Sequence, residues 1–205
     1  MGNAIYLWRK LTAKEQEELL GWRKQRELPW HRPPHRASEK TRYHLTAACF
    51  EHRQHIGQSR KRMELFCGTL LEIFTRQGAQ IHAWCVLPNH YHALISTIRI
   101  LEVLAALGQM HGRLSFCWNG EEQIRGRQVW CGAVERYMRS DSRFWATLNY
   151  VHHNPVRHGY VERWTDWPWS SGKSFLQMTG FEEAKRIWRD YPIREYGKEW
   201  DEPRM

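Results

Sequence analysis

Val86-Leu87-Pro88-Asn89-His90-Tyr91-His92-Ala93-Leu94-Ile95 sets a turn dipeptide between two apolar runs. Residues 80–87 read as a strand, Pro88-Asn89 as a turn and residues 90–97 as a second strand, which predicts a hairpin. Side chains two apart in a strand point to one face, so His90 and His92 share a side, with Cβ atoms about 7 Å apart. Both imidazoles then reach one metal ion. They follow directly on the turn, near a strand end, where a substrate has access. Two half-exposed strand histidines would give the same pattern, so the pair alone does not decide.

Working outward, residues 43–50 alternate well enough for a first strand, and 51–58 form a polar loop. Residues 59–77 read as a helix, with Met63, Phe66, Leu70, Ile73 and Phe74 recurring at helical spacing. Beyond the hairpin, residues 100–116 read as a second amphipathic helix carrying Leu101, Leu104, Leu107 and Leu114, ended by Asn119-Gly120. Residues 128–137 suit a further strand. Ser140 or Asp141 caps a third helix through Phe144, Leu148 and Val151; Pro155 is expected to disturb it and Gly159 to stop it. Residues 164–171 are aromatic and loop-like. The order strand, helix, hairpin, helix, strand, helix predicts an α+β fold, an antiparallel sheet with helices packed on it.

Residues 1–40 read as a basic extension or arm, broken at Leu28-Pro29-Trp30-His31-Arg32-Pro33-Pro34-His35. Residues 41–175 form the expected core, and 176–205 a tail with a short helix. The chain has 205 residues, a size for one domain with extensions, and its 41% hydrophobic content excludes global disorder. No apolar run is long enough to span a bilayer, and residues 1–22 turn charged too soon for a secretory signal, so no membrane partner is expected. Met1-Gly2-Asn3 opens like a myristoylation site, but Tyr6 stands where Ser or Thr is required. Five scattered cysteines with no CxxC pair argue against a disulfide framework and for a reducing cytoplasm. A net charge of +9 and a pI near 9.5 point to a polyanionic partner. Twelve Trp could stack on unpaired bases or simply fill the core.

A second constellation is Asn149-Tyr150-Val151-His152-His153-Asn154-Pro155-Val156-Arg157-His158-Gly159. On a helix Tyr150 and Asn154 are four apart, hence neighbours. A Tyr phenol is a possible nucleophile toward a phosphodiester whose charge a metal ion offsets. Asn154 offers a neutral oxygen suited to Mg²⁺ or Mn²⁺ beside two imidazoles. Core packing for Tyr150 and a helix-end role for Asn154 are the structural alternatives.

These motifs resemble the single-tyrosine HUH transposases, and among them the REP-associated tyrosine transposases. Residues 86–95 resemble their histidine–hydrophobe–histidine motif, and Tyr150 to Gly159 their tyrosine helix. Trp167-Pro168-Trp169-Ser170-Ser171 is similar to their aromatic-Ser-Ser ending, and Trp130 to Arg139 to the strand before the helix. The resemblance covers roughly residues 41–175, and the motifs stand in the family's order. It implies a ferredoxin-like or RRM-like HUH endonuclease core. It implies His90, His92 and Asn154 as ligands of Mg²⁺ or Mn²⁺, with Tyr150 as the nucleophile; His153 is an alternative ligand or base. It also implies a single-stranded DNA endonuclease and strand transferase that forms a 5′-phosphotyrosine link beside a REP-like hairpin, with no nucleotide cofactor. Tyr91 departs mildly from the family pattern, which usually has a bulky apolar residue there.

Arg125, Arg127, Arg136, Arg139, Arg143 and Arg157 cluster around the motif in sequence and are candidate DNA contacts, as are Trp30, Arg32 and Arg36 in the arm. Both a monomer and a homodimer are compatible, with the tyrosine helix acting on its own or a partner subunit. Two other classes stay open: a hairpin-binding regulator without catalysis, and a metal-dependent hydrolase of small phosphate esters in which Tyr150 is structural.

Overall fold

The computed structural model describes residues 41–194 and, before them, residues 12–15, 17, 18 and 21. The chain divides into two compact units, residues 1–37 and residues 38–205. In the first, residues 13–15, 17, 18 and 21 are helical. Thr12 and Glu15 open this helix reciprocally. The Thr12 N–H donates to Glu15 Oε2 at 2.7 Å, and the Glu15 N–H donates to Thr12 Oγ1 at 3.4 Å. Trp30, Arg32 and Arg36 lie outside the described residues.

The second unit runs β1 (Arg42–Ala48), α1 (Arg60–Arg76), β2 (Gln80–Leu87), β3 (His90–Ser96), α2 (Ile100–Glu121), β4 (Val134–Tyr137), α3 (Asp141–Arg157), α4 (Gly172–Thr179) and α5 (Phe181–Asp190). The sheet order is β2-β3-β1-β4 with every neighbouring pair antiparallel. This is the expected α+β, ferredoxin-like arrangement. The hairpin closes with Leu87 opposite His90, so Pro88-Asn89 is a two-residue turn.

The period-2 alternation of β3 sorts its side chains between two layers. Tyr91 faces Phe66 of α1 and His111 of α2, at ring-centroid distances of 5.4 and 5.8 Å. His92 faces the opposite layer, where α3 packs across β2 and β3. Ser59 caps α1 through its hydroxyl, which accepts from the Arg62 N–H at 3.1 Å. Ser140 caps α3 in the same way, accepting from the Arg143 N–H at 3.2 Å. Both helices thereby gain a partner for one orphan donor.

Three boundaries differ from the sequence reading. Helix α2 runs past Phe116 to Glu121, because Trp118 and Asn119 are buried and extend its packed face. The Asn119 side chain ties this last turn to the Arg127 carbonyl at 2.7 Å instead of stopping the helix. Leu101, expected on the buried face, is 47% exposed, and Val103 takes its place. The strand expected over 128–137 is confined to 134–137, since Val129 and Trp130 turn into the core; Trp130 stacks on His111 at 4.2 Å. Helix α3 passes through Pro155 and ends two residues later, at Arg157. Pro155 lacks the N–H that would bond to the Val151 carbonyl, and only two helical residues follow it. Gly159, at φ +72°, then closes the helix.

The residues read as a tail contain the end of α4 and all of α5. Helix α5 is fastened to α3 by Asn149, whose amide donates to the carbonyls of Tyr191 at 2.8 Å and Ile187 at 3.3 Å. The aromatic segment before α4 lies along the outer flank of β2. The Val86 N–H donates to Trp169 O and the Ser171 N–H to Trp84 O, each at 2.9 Å. Trp167 Nε1 donates to Val86 O at 2.9 Å.

A partly buried ionic cluster joins α1, α2 and the following loop. Glu122 accepts from Arg127 Nη1 at 2.6 Å and from Arg62 Nη1 at 2.7 Å. These guanidiniums, Arg127 first, hold its carboxyl down at about 2. The unfolded chain therefore takes up this proton first as pH falls below the ordinary carboxylate value of 4.5. The stabilisation is fully present above that value and is lost as pH falls through the folded value. Glu122→Gln is expected to lower stability by about 2 kcal/mol at pH 6. The gap to wild type should narrow toward pH 2.5 in urea titrations; a gap independent of pH would remove Glu122 as its source.

Candidate active site

Strand alternation, hairpin register and one helical turn bring the motif residues together. His90 and His92 point to the α3 side of the sheet, their ring centroids 5.0 Å apart. Tyr150 and Asn154 descend from α3 onto them. The Tyr150 ring lies 5.3 Å from that of His92, and Asn154 Oδ1 lies 3.1 Å from His90 Nε2. All four side chains are buried, Tyr150 being only 1% exposed.

Two polar contacts frame the His90 ring. The Asn89 amide nitrogen donates to His52 O at 3.1 Å, which orients the amide and leaves Oδ1 as its acceptor. Asn89 Oδ1 stands 2.7 Å from His90 Nδ1, so Nδ1–H is the donor there. The neutral ring then carries its lone pair on Nε2. Nε2 stands 3.1 Å from Asn154 Oδ1, a contact that a protonated ring makes as a hydrogen bond and a neutral ring makes by sharing a cation. Ligand atoms about 2.1 Å from a six-coordinate cation sit about 3.0 Å apart along an octahedral edge, so the spacing fits Mg²⁺ or Mn²⁺. Among the described residues no group of three or more His, Cys, Asp or Glu could hold a metal ion. His90, His92 and the Asn154 amide oxygen, the ligands expected from the sequence, lie together on this side of the sheet.

Residues absent from the sequence reading complete the surroundings. His44 of β1 lies with Nε2 3.1 Å from His92 Nδ1, and its ring centroid is 6.1 Å from that of Tyr150. Asn89 orients His90. His158, just after α3, sets its ring 5.0 Å from that of His90. Asn89 and His158 were visible as neighbours of the motifs, whereas His44 carried no local signal.

The basic residues divide. Arg157 reaches the site, its guanidinium carbon 5.9 Å from the Tyr150 ring centroid. Arg127 is engaged by Glu122 and by Asn119 Oδ1 at 3.0 Å, away from the imidazoles. Arg125 stacks on Phe116 at 4.6 Å. Arg139 and Arg143 are exposed around the start of α3, and Arg136 is half-buried on β4. His153 turns to Trp188 of α5, at 5.6 Å between centroids, and not to the sheet. His152 is buried, with Nε2 2.9 Å from Ser171 Oγ, and burial pushes its pKa down to about 3. It is a neutral tie between α3 and the Trp167–Ser171 segment.

No family model matches the chain. A curated Haemophilus influenzae protein named as a REP-associated tyrosine transposase is 32% identical over 103 residues, which is 43% of this chain. The alignment spans 56% of that relative, little more than half its length. A solved REP-associated tyrosine transposase, bound to a REP hairpin, superposes with a TM-score of 0.52 at 17% identity, over 71% of this chain and 85% of its own. A Deinococcus radiodurans crystal structure, assigned as a transposase, matches more loosely, at a TM-score of 0.41 and 20% identity. The chain is thus similar in part of its sequence to one REP-associated tyrosine transposase and in fold to another.

Proposed function

We propose that this chain is a transposase-like enzyme that nicks and rejoins single-stranded DNA beside a hairpin. Tyr150 is its nucleophile, and His90, His92 and Asn154 hold a divalent cation. The observation that carries this reading is the convergence of two buried imidazoles and an amide oxygen, His90 Nε2 lying 3.1 Å from Asn154 Oδ1, one helical turn from a tyrosine packed on His92. The relative's name and the hairpin in the solved neighbour support the choice of substrate.

In this mechanism the Tyr150 oxygen bonds to a backbone phosphorus as the bond from that phosphorus to the 3′ oxygen breaks. The phenolic proton ends on the departing 3′-hydroxyl, and the strand downstream of the break stays linked to Tyr150 through its 5′ phosphate. Exchange of one phosphodiester for another conserves the bond, so rejoining needs no nucleotide cofactor. A bound divalent cation supplies charge that orients the scissile phosphate and stabilises its developing negative oxygens. Asn89 holds the lone pair of His90 toward that position. Arg157 adds positive charge beside the tyrosine, where the phosphate must arrive.

The test uses a labelled hairpin with a single-stranded 5′ flank, incubated with Mg²⁺ or Mn²⁺ and run on a denaturing gel. A protein–DNA adduct that EDTA abolishes is expected. Retarded DNA on a native gel, with no adduct under any divalent ion, would overturn the catalytic reading in favour of a binding protein. Metal binding is read separately, by titrating Mn²⁺ and following its EPR signal. His90→Ala and Asn154→Leu are each expected to weaken Mn²⁺ binding by at least about tenfold. Unchanged affinity in both variants would remove these residues as ligands.

A further inference from the structure

We infer that His44 is a positioning residue that fixes which nitrogen of His92 is open to the cation. The inference rests on the metal reading of His90, His92 and Asn154. The antiparallel register sets Thr46 opposite His92, so His44 occupies the diagonal place on the same face of the neighbouring strand. Both rings are buried, stacked at 5.1 Å and 30°, with His44 Nε2 3.1 Å from His92 Nδ1. In a contact between two neutral imidazole nitrogens, one carries the proton and the other the lone pair. If His92 accepts at Nδ1, its proton sits on Nε2 and that nitrogen cannot bind a metal. If His92 donates from Nδ1, the Nε2 lone pair is open. His44 must therefore act as the acceptor, with its own proton on Nδ1. Asn89 does for His90 what His44 does for His92: each imidazole of the pair is oriented through its Nδ1 by a neighbour outside the ligand set. His44 also packs edge-on to Tyr150, at 80° between ring planes, so the same side chain braces the ligand and the tyrosine.

The test compares wild type, His44→Gln and His44→Leu. Gln keeps an oxygen acceptor for His92 Nδ1–H, and Leu keeps bulk without one. The first readout needs no metal: the His92 tautomer, from ¹⁵N–¹H long-range NMR spectra of selectively labelled metal-free protein. A His92 Nδ1–H tautomer is expected in wild type and in His44→Gln, and a shift toward Nε2–H in His44→Leu. The second readout is Mn²⁺ affinity, expected to stay within about threefold in His44→Gln and to fall about tenfold to a hundredfold in His44→Leu. Equal melting temperatures separate either effect from unfolding. A wild-type His92 protonated at Nε2 overturns the inference. So does pulsed EPR showing three imidazole nitrogens on Mn²⁺, which would make His44 a ligand. Failure of wild type to bind Mn²⁺ overturns the metal reading, while the NMR result still decides the role of His44.

Discussion

Tyr150→Phe is expected to abolish the covalent DNA adduct, by at least about 10³-fold, while leaving hairpin binding and the fold in place. The substitution removes one oxygen and keeps the ring that packs on His92 and His44. Stability should therefore change by no more than about 1 kcal/mol, the net value of a typical hydrogen bond. Thr46 stands opposite His92, but an aliphatic hydroxyl is a far weaker acid than a phenol, so loss of the adduct should be complete within detection. The assay is the denaturing gel with EDTA as control, paired with a native gel for binding. Cleavage surviving in the variant would mean that water is the nucleophile and that Tyr150 is structural, the hydrolase reading.

The largest expected effect on stability belongs to Arg62. This side chain is 9% exposed yet carries a full charge. Its guanidinium donates to Glu121 at 2.5 Å and Glu122 at 2.7 Å, and also to Gln58. It further lies 5.2 Å from the Trp118 ring. Arg62→Leu fills similar space but strands Glu122 against Arg127 alone and breaks the tie between α1 and α2. A loss of about 3–5 kcal/mol is expected, the range for breaking one side of a buried ion pair. Urea unfolding followed by tryptophan fluorescence measures it, and Arg62→Leu/Glu122→Leu should recover part of the loss. A loss below about 1 kcal/mol would show the cluster to be solvated and energetically minor.

What the sequence disclosed follows from how local each signal is. The hairpin was legible because period-2 alternation on either side of Pro88-Asn89 leaves one consistent register. The pairing of Tyr150 with Asn154 was legible because both ride one helix, four residues apart. The length of α2 was not, since Asn119-Gly120 is a stop only when nothing tertiary holds the next turn, and Arg127 does. Arg127 itself stood among the DNA candidates because charge clusters along a sequence do not reveal their counter-ions; Glu122 is its partner in space. His44 escaped notice for the same reason. Its relation to His92 exists only through the pairing of β1 with β3, two strands separated by a helix and a third strand.

The stretch from Trp167 to Ser171 has a bearing on more than its own neighbourhood. By clasping Trp84 and Val86 at their backbones, it penalises any slippage of β2. A slip of β2 by one residue would turn its own alternating side chains to the wrong faces of the sheet and misalign Cys85 and Leu87, the cross-strand partners of His92 and His90. A serine and tryptophan clasp some 80 residues downstream thus acts as a latch on the alignment of the strand beside the two histidines.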